Sequence, residues 1–132
     1  MADLKNRSKL GKHLLVDFFG VDREKLQDRI KLMKILRSAL KEAGFRIIKE
    51  AGSHKFHEGG KGVTGFILLA ESHAAFHSYP EYGYIAFDIY ACGKHSPDSV
   101  AEKMEKHLSP AKVSHILYRR GVGLPQSSLA GQ

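Results

Sequence analysis

The stretch YGYIAFDIYAC, residues 82–92, decides the fold because two kinds of side chain alternate along it. The odd-numbered positions are apolar, whereas the even-numbered positions are mainly tyrosine and include Asp88 and Cys92. Successive side chains of a β-strand point to opposite faces of the sheet, so this pattern predicts a strand with one apolar face. The other face combines aromatic and polar groups, a composition typical of a ligand site or a dimer interface.

Four further strands and two helices are predicted around this strand. β-Branched and aromatic runs bounded by glycine or proline predict strands, and apolar residues three or four positions apart predict helices. The strands cover about residues 14–19, 45–56, 63–72 and 113–118, and the helices about residues 23–43 and 97–108.

The first helix has clear signals at both ends. Asp22 is a favourable N-cap, and Gly44 is a favourable residue just beyond the last turn. One apolar stripe is predicted to face the core, and it consists of Leu26, Ile30, Met33, Leu36 and Leu40. The second helix is predicted to begin after Ser96 with Pro97 in its first turn, a position that suits proline.

This order of elements predicts a single α+β domain over residues 1–132, which is too short a chain for a second core. The expected architecture is a two-layer α/β sandwich, with a mostly antiparallel sheet and two helices on one face. Two helices can cover only one face of such a sheet, so the other face is expected to be solvated or to support a homodimer. Residues 121–132 are rich in Gly, Ser and Gln and predict a flexible tail.

Composition excludes several classes of protein. The net charge of +7 suggests an acidic partner, but the basic residues are spread along the chain and interrupted by acidic ones, which is typical of a solvated surface. We therefore expect no nucleic-acid partner.

The longest apolar run is far shorter than the roughly 20 residues of a membrane helix, and the first residues lack the apolar region of a secretory signal, so a cytoplasmic protein without a membrane partner is expected. Cys92 is the only cysteine, which excludes an internal disulfide and a cysteine-built zinc site.

The densest group of chemically active residues is AESHAAFHSYPE, residues 70–81. His73 and His77 could bind a metal if they lay on a helix, although the preceding strand and the nearby proline disfavour one. Ser72 and His77 could instead be a hydrolase nucleophile and its base, although no G-x-S-x-G motif surrounds the serine. The bond between Glu71 and Ser72 could also be a self-processing bond. The spacing alone does not select among these three interpretations.

A series of short motifs resembles the prokaryotic class of S-adenosylmethionine decarboxylase proenzymes, which are pyruvoyl enzymes of spermidine synthesis. The likeness extends over about residues 10–120. The motifs that carry it are Gly11-Lys-His-Leu14, Asp22-Arg-Glu-Lys-Leu26, Gly62-Val-Thr-Gly65, Ala70-Glu-Ser-His73, His77, Tyr79-Pro-Glu-Tyr82 and Asp88-x-x-x-Cys-Gly93.

The resemblance implies a self-cleaving chain that makes its own cofactor. Ser72 would attack the carbonyl of Glu71, and cleavage would give a β chain, residues 1–71, and an α chain, residues 72–132. Ser72 would become a pyruvoyl group that forms a Schiff base with the substrate, without a metal or PLP. In the same scheme His77 is the processing base, Thr64 assists processing and Cys92 is the catalytic proton donor.

The resemblance also implies a substrate and residues that bind it. Phe56 and Tyr79 would stack near the nucleoside, or they could instead be core residues of a dimer. Glu81 would accept hydrogen bonds from ribose hydroxyls or face a cationic group of the substrate. The expected reaction converts S-adenosylmethionine to decarboxylated S-adenosylmethionine and CO2 for spermidine biosynthesis, in a cytoplasmic homodimer. Two alternatives stay open. One is a pyruvoyl-dependent arginine or ornithine decarboxylase on the same scaffold, and the other is an unprocessed binding homologue without activity.

Overall fold

A computed structural model of the chain describes residues 10–124, so most of the predicted flexible tail, from residue 125 onward, lies outside the described part. The strands are β1 Gly11–Phe19, β2 Ile47–Lys55, β3 Val63–Leu69, β4 Ser72–Tyr79, β5 Tyr84–Cys92 and β6 Lys112–Arg120. The helices are α1 Arg23–Gln27, α2 Arg29–Glu42 and α3 Pro97–Leu108, and a 3-10 turn spans Pro80–Tyr82.

The six strands form one sheet in the order β2-β3-β4-β5-β1-β6, and every neighbouring pair is antiparallel. The helices pack on one face of this sheet, α2 against β2 and β3, and α3 against β1 and β5. The core lies between the two layers and includes Phe18, Phe76, Leu36, Ile85 and Met104, each no more than 2% exposed. The predicted two-layer α+β sandwich is therefore confirmed. Within residues 10–124, no helix is both long and apolar enough to cross a membrane.

The first predicted helix is two helices, because the chain breaks at Asp28. Asp28 has the extended angles φ −93° and ψ 92°, and its side chain accepts a hydrogen bond from the backbone nitrogen of Lys31 at 3.0 Å. The break changes the helical phase, so Ile30 of the predicted stripe is 73% exposed instead of buried. Leu26 on α1 and Met33, Leu36 and Leu40 on α2 face the core as expected.

Strand β4 was not predicted. The expected strand over residues 63–72 ends at Leu69, and a two-residue turn, Ala70-Glu71, leads directly into β4. His73 and His77 lie on this strand, so the helical premise of the metal interpretation was wrong. The strand buries Ser72, Ala74, Phe76 and Ser78 against the helices.

The face of the sheet opposite the helices is called the uncovered face below. Its side chains alternate with the buried ones on every strand whose pattern is clear, as the alternation in β5 predicted. Large apolar and aromatic side chains on it are more than a third exposed, and they include Leu15, Phe66, Leu68, Tyr79, Ile116 and Tyr118. Such a patch is typical of an interaction surface.

Candidate active site

Ser72 and Cys92 meet at one end of the sheet, where β4 begins and β5 ends. The side chain of Ser72 is nearly buried, with the residue 7% exposed. Its hydroxyl oxygen accepts a hydrogen bond from the backbone nitrogen of Cys92 at 3.1 Å. Cys92 is half-buried, and the alternation of β5 places its thiol on the uncovered face. Ser72 and the backbone of Cys92 are therefore neighbours, while the side chain of Ser72 points to the helices and the thiol of Cys92 to the uncovered face.

The residue before Ser72 has a strained backbone. Glu71 has a φ of +56°, in the left-handed region that a residue with a Cβ seldom adopts. This conformation costs a non-glycine residue about 1 kcal/mol. The turn is held in place because the backbone nitrogen of Ala70 donates to the carbonyl oxygen of Arg46 at 3.1 Å. The strain therefore lies in the residue whose carbonyl Ser72 would attack.

Thr64 and His77 form a second group at the other end of β4. They are register partners across β3 and β4, and Thr64 Oγ1 lies 2.9 Å from His77 Nδ1. His77 lies five positions after Ser72 in an extended strand, a distance of roughly 16 Å. The two side chains also point to opposite faces of the sheet. One protomer therefore does not bring His77 to the bond that it would help to cleave.

The three predicted substrate-binding residues lie at the same end as Thr64 and His77. Tyr79 is 41% exposed, and its ring stacks on Tyr84 with a centroid distance of 5.6 Å. Glu81 Oε2 accepts a hydrogen bond from the backbone nitrogen of Gly60 at 3.1 Å, so part of its carboxylate is already occupied by the loop after β2. Phe56, at the start of this loop, is 50% exposed.

Tyr84 is anchored beneath Tyr79 by a carboxylate. Its hydroxyl donates a hydrogen bond to Asp17 on β1. Burial, and after it this hydrogen bond, raises the pKa of Tyr84 to about 12. The phenol therefore stays protonated at neutral pH, and on its other face it stacks on Phe19 with centroids 5.3 Å apart.

His13, His73 and Asp88 form a cluster on the uncovered face that sequence reasoning missed. His13 Nε2 lies 2.8 Å and His73 Nε2 3.8 Å from Asp88 Oδ2. The guanidinium of Arg120 lies 3.4 Å from His13 Nδ1. Because arginine has only donors, this nitrogen accepts, and Nε2 carries the proton that is donated to Asp88. The contacts thus suit a hydrogen-bonded network better than a metal cage, since a metal ion would have to displace that proton.

No spacing in the sequence signals this cluster, because its members lie on β1, β4 and β5. Only the pairing register brings them together: His13 and His73 are both register partners of Tyr90, one from each neighbouring strand. The presence of His13, His73 and Asp88 within the quoted motifs was the only available hint.

Comparison with known proteins identifies the family. The sequence model described as S-adenosylmethionine decarboxylase matches residues 12–121. The chain belongs to the S-adenosylmethionine decarboxylase family.

Individual members of this family are similar over nearly the whole chain. The S-adenosylmethionine decarboxylase proenzyme of Methanococcus maripaludis strain S2 is 37% identical over 114 residues, which cover 86% of this chain and 91% of the relative. The proenzyme of Methanococcus vannielii is 38% identical, with the same coverage of 86% and 91%. The crystal structure of the adenosylmethionine decarboxylase from Aquifex aeolicus has a TM-score of 0.70 and 32% identity, covering 86% of this chain and 92% of that one.

These likenesses confirm the predicted family, the α+β sandwich and the class of enzyme, a carboxy-lyase of the S-adenosylmethionine decarboxylase family. The family implies a pyruvoyl group made by self-cleavage, and the geometry around residue 72 fits the serine that would form it. A serine hydroxyl follows a strained peptide, and the backbone nitrogen of Cys92 offers a donor to the oxygen. The roles of the individual site residues stay predictions.

Proposed function

We propose that this chain is a self-processing decarboxylase that converts S-adenosylmethionine to decarboxylated S-adenosylmethionine and CO2. The observation that carries the proposal is the position of Ser72, directly after the left-handed Glu71 and within a hydrogen bond of Cys92. The names of the relatives supply the substrate, since those from Methanococcus are S-adenosylmethionine decarboxylase proenzymes. The reaction takes place in the cytoplasm, where a thiol such as that of Cys92 remains reduced.

Processing begins with the hydroxyl of Ser72. Its oxygen attacks the carbonyl carbon of Glu71, and the peptide bond is replaced by an ester. A base then takes the α-proton of Ser72, the bond between Cβ and Oγ breaks, and Glu71 leaves as a C-terminal carboxylate. Water hydrolyses the remaining dehydroalanine and releases ammonia, which leaves a pyruvoyl group at the start of the fragment 72–132. His77 is the proposed base, with Thr64 holding its Nδ1.

The protein groups around residue 72 then serve decarboxylation. A pyruvoyl group supplies the carbonyl that withdraws electrons from the substrate, as cofactors do for reactions that no ordinary side chain can perform. Cys92 donates its proton to the carbon that has lost CO2, and its sulfur keeps the electron pair. The thiol faces the uncovered side of the sheet, which leaves the approach to it free of the helices.

Substrate recognition is assigned to the group at the other end of β4. The exposed rings of Phe56 and Tyr79 can stack on a purine, and the pair of Tyr84 and Asp17 holds Tyr79 in place from behind. One carboxylate oxygen of Glu81 accepts the hydrogen bond from Gly60, and the other oxygen can accept from the substrate. A local acidic group is needed because the substrate is a cation and the net charge of the chain is +7, which does not attract it.

The separation of the two groups supports a homodimer through the uncovered face. The resemblance assigns Ser72 and Cys92 to the same reaction as Thr64 and His77, yet they lie at opposite ends of β4. In a two-fold dimer with the uncovered faces in contact, each end of one β4 can lie over the other end of its partner. Each of the two active sites would then combine Ser72 of one chain with His77 of the other.

Mass spectrometry under denaturing conditions tests the processing step. The purified wild-type protein is expected as two fragments, residues 1–71 and 72–132, with the second fragment carrying the pyruvoyl mass. Ser72→Ala is expected to remain one uncut, inactive chain, because no hydroxyl is left to attack Glu71. A wild-type chain that stays uncut after long incubation would contradict the proposal and favour a non-enzymatic binding homologue.

Release of labelled CO2 from S-adenosylmethionine, arginine and ornithine, measured in parallel, tests the substrate. Cys92→Ala serves as the matched control, because it should still be cut but should lose about 10²- to 10⁴-fold in decarboxylation rate, the usual contribution of a proton donor. Turnover of arginine or ornithine alone would replace the proposed substrate and leave the pyruvoyl chemistry intact.

A further inference from the structure

Tyr90 reaches toward Cys92 across a gap left by a glycine. The two residues lie two positions apart in β5, so both side chains point to the uncovered face. Gly11 of β1 is the register partner of Cys92. A Cβ at Gly11 would collide with the hydroxyl and the ring of Tyr90. Because Gly11 has no side chain, the phenol of Tyr90 can extend over it toward the position of Cys92.

Charged and aromatic groups hold this ring from three neighbouring positions. The guanidinium of Arg120, which is the β6 register partner of Gly11, lies 5.1 Å from the ring centroid, within the range of a cation–π interaction. The imidazole of His13 on β1 lies 5.7 Å from the ring centroid, and that of His73 on β4 lies 6.0 Å from it. Asp88, two residues earlier in β5, contacts both imidazoles. Among residues 10–124, these four titratable or charged groups surround the phenol together with the thiol of Cys92.

The phenol remains a hydrogen-bond donor at neutral pH. Partial burial, and after it the neighbouring side chain of Cys92, raises the pKa of Tyr90, although Arg120 acts in the opposite direction. A neutral phenol beside a sulfur can donate its proton in a hydrogen bond, and such bonds become stronger when the acceptor carries a charge.

We propose that Tyr90 is a positioning residue for Cys92, with its hydroxyl extended over Gly11 toward the sulfur. The proposal rests on the proposed role of Cys92 as proton donor. When the thiol protonates the substrate carbon, its S–H bond breaks, a C–H bond forms and the sulfur keeps the electron pair. The hydroxyl of Tyr90 then donates a hydrogen bond to the thiolate and keeps its own proton. Water returns a proton to the sulfur after the product has left.

The pH dependence of alkylation tests this contact without requiring substrate or processing. Cys92 is the only cysteine of the chain, so the rate of modification by iodoacetamide, followed by mass, reports this thiol alone. In Tyr90→Phe, which keeps the shape of the ring, the midpoint pH of alkylation is expected to rise by about half a unit to one unit, the effect of one lost hydrogen bond. The decarboxylation kcat should fall by about 3- to 10-fold with KM unchanged.

Two further variants make the outcome specific. Gly11→Ala should raise the midpoint in the same direction, because its methyl group displaces the flexible end of the Tyr90 side chain. Tyr118→Phe removes a hydroxyl from the same face of β6 and should leave the midpoint unchanged. Superimposable alkylation curves for Tyr90→Phe and Tyr118→Phe would overturn the proposal. If no substrate is turned over but the midpoint still shifts, the contact with the thiol stands and only the proposed function fails.

Discussion

The hydrogen bond between Tyr84 and Asp17 links the stability of the fold to pH at a single residue. The pKa of Tyr84, raised to about 12 by burial and by Asp17, exceeds the ordinary value of 10. A group whose pKa is raised on folding contributes stability that is present below its unfolded pKa and lost as the pH rises through the folded pKa. The contribution of this hydroxyl should therefore be complete below about pH 10 and decline between pH 10 and 12.

The variant Tyr84→Phe should lower the free energy of unfolding by about 1 kcal/mol at neutral pH, because it removes one partly buried hydrogen bond and leaves Asp17 without its donor. Urea unfolding at pH 7, 9 and 11, in a Ser72→Ala background that keeps one chain, measures the difference. Tyr82→Phe is the control, since Tyr82 is 76% exposed. A difference for Tyr84→Phe that is as large at pH 11 as at pH 7 would contradict the linkage.

At the scale of elements, the turn between β3 and β4 contains both a strained residue, Glu71, and the peptide bond that is proposed to be cleaved. Glu71→Gly should relieve the left-handed strain and stabilise the Ser72→Ala protein by about 0.5–1 kcal/mol. If that strain assists cleavage, the same substitution should slow processing of the otherwise wild-type chain by about 2- to 5-fold. Glu71→Ala removes the carboxylate but keeps a Cβ, so it should process at the wild-type rate. Equal rates for the glycine and alanine variants would show that the strain has no part in cleavage.

The same turn explains what the sequence could and could not predict about the elements. Ala70-Glu71 contains no Gly, Pro, Asn or Asp, so nothing marked it as a hairpin turn, and β4 was missed. The buried face of β4 includes Ser72 and Ser78, which hid its alternation. Ser78 tolerates burial because its hydroxyl donates to the backbone carbonyl oxygen of Leu26 and accepts from the backbone nitrogen of Val63. By contrast, the alternation of β5 was predicted correctly, because every position on its buried face is apolar.

The site residues likewise differ in whether a local sequence pattern could reveal them. Ser72, His77 and Cys92 were found through motifs, which need only residue types in order along the chain. The contact of Tyr90 with Gly11, and the cluster of His13, His73 and Asp88, depend on which strands pair and in what register. Pairs such as Gly11 and Cys92 are 81 positions apart, so no local pattern predicts them.

For the whole molecule, the position of His77 relative to Ser72 decides how many chains make one active site. Co-expression of Ser72→Ala and His77→Ala, each uncut when alone, tests this directly. In a mixed dimer the intact Ser72 of one chain can meet the intact His77 of the other, so up to about half of the His77→Ala chains should be cut. The fragment 72–132 is identified by the mass of its alanine at position 77. A single-chain site would give no cleavage in the mixture.

The uncovered face should be the surface that brings the two chains together. Leu15 and Ile116 are register partners at its β1–β6 side and are 41% and 56% exposed. Ile116→Lys on both chains should therefore abolish the complementation and shift the elution of the protein to that of a monomer, because a buried, unpaired charge is costly. The matched substitution Ile30→Lys, at an isoleucine of helix α2 that is 73% exposed and lies in the other layer, should preserve both. Mixed dimers captured through two different tags but left uncut would show that His77 does not act across the interface.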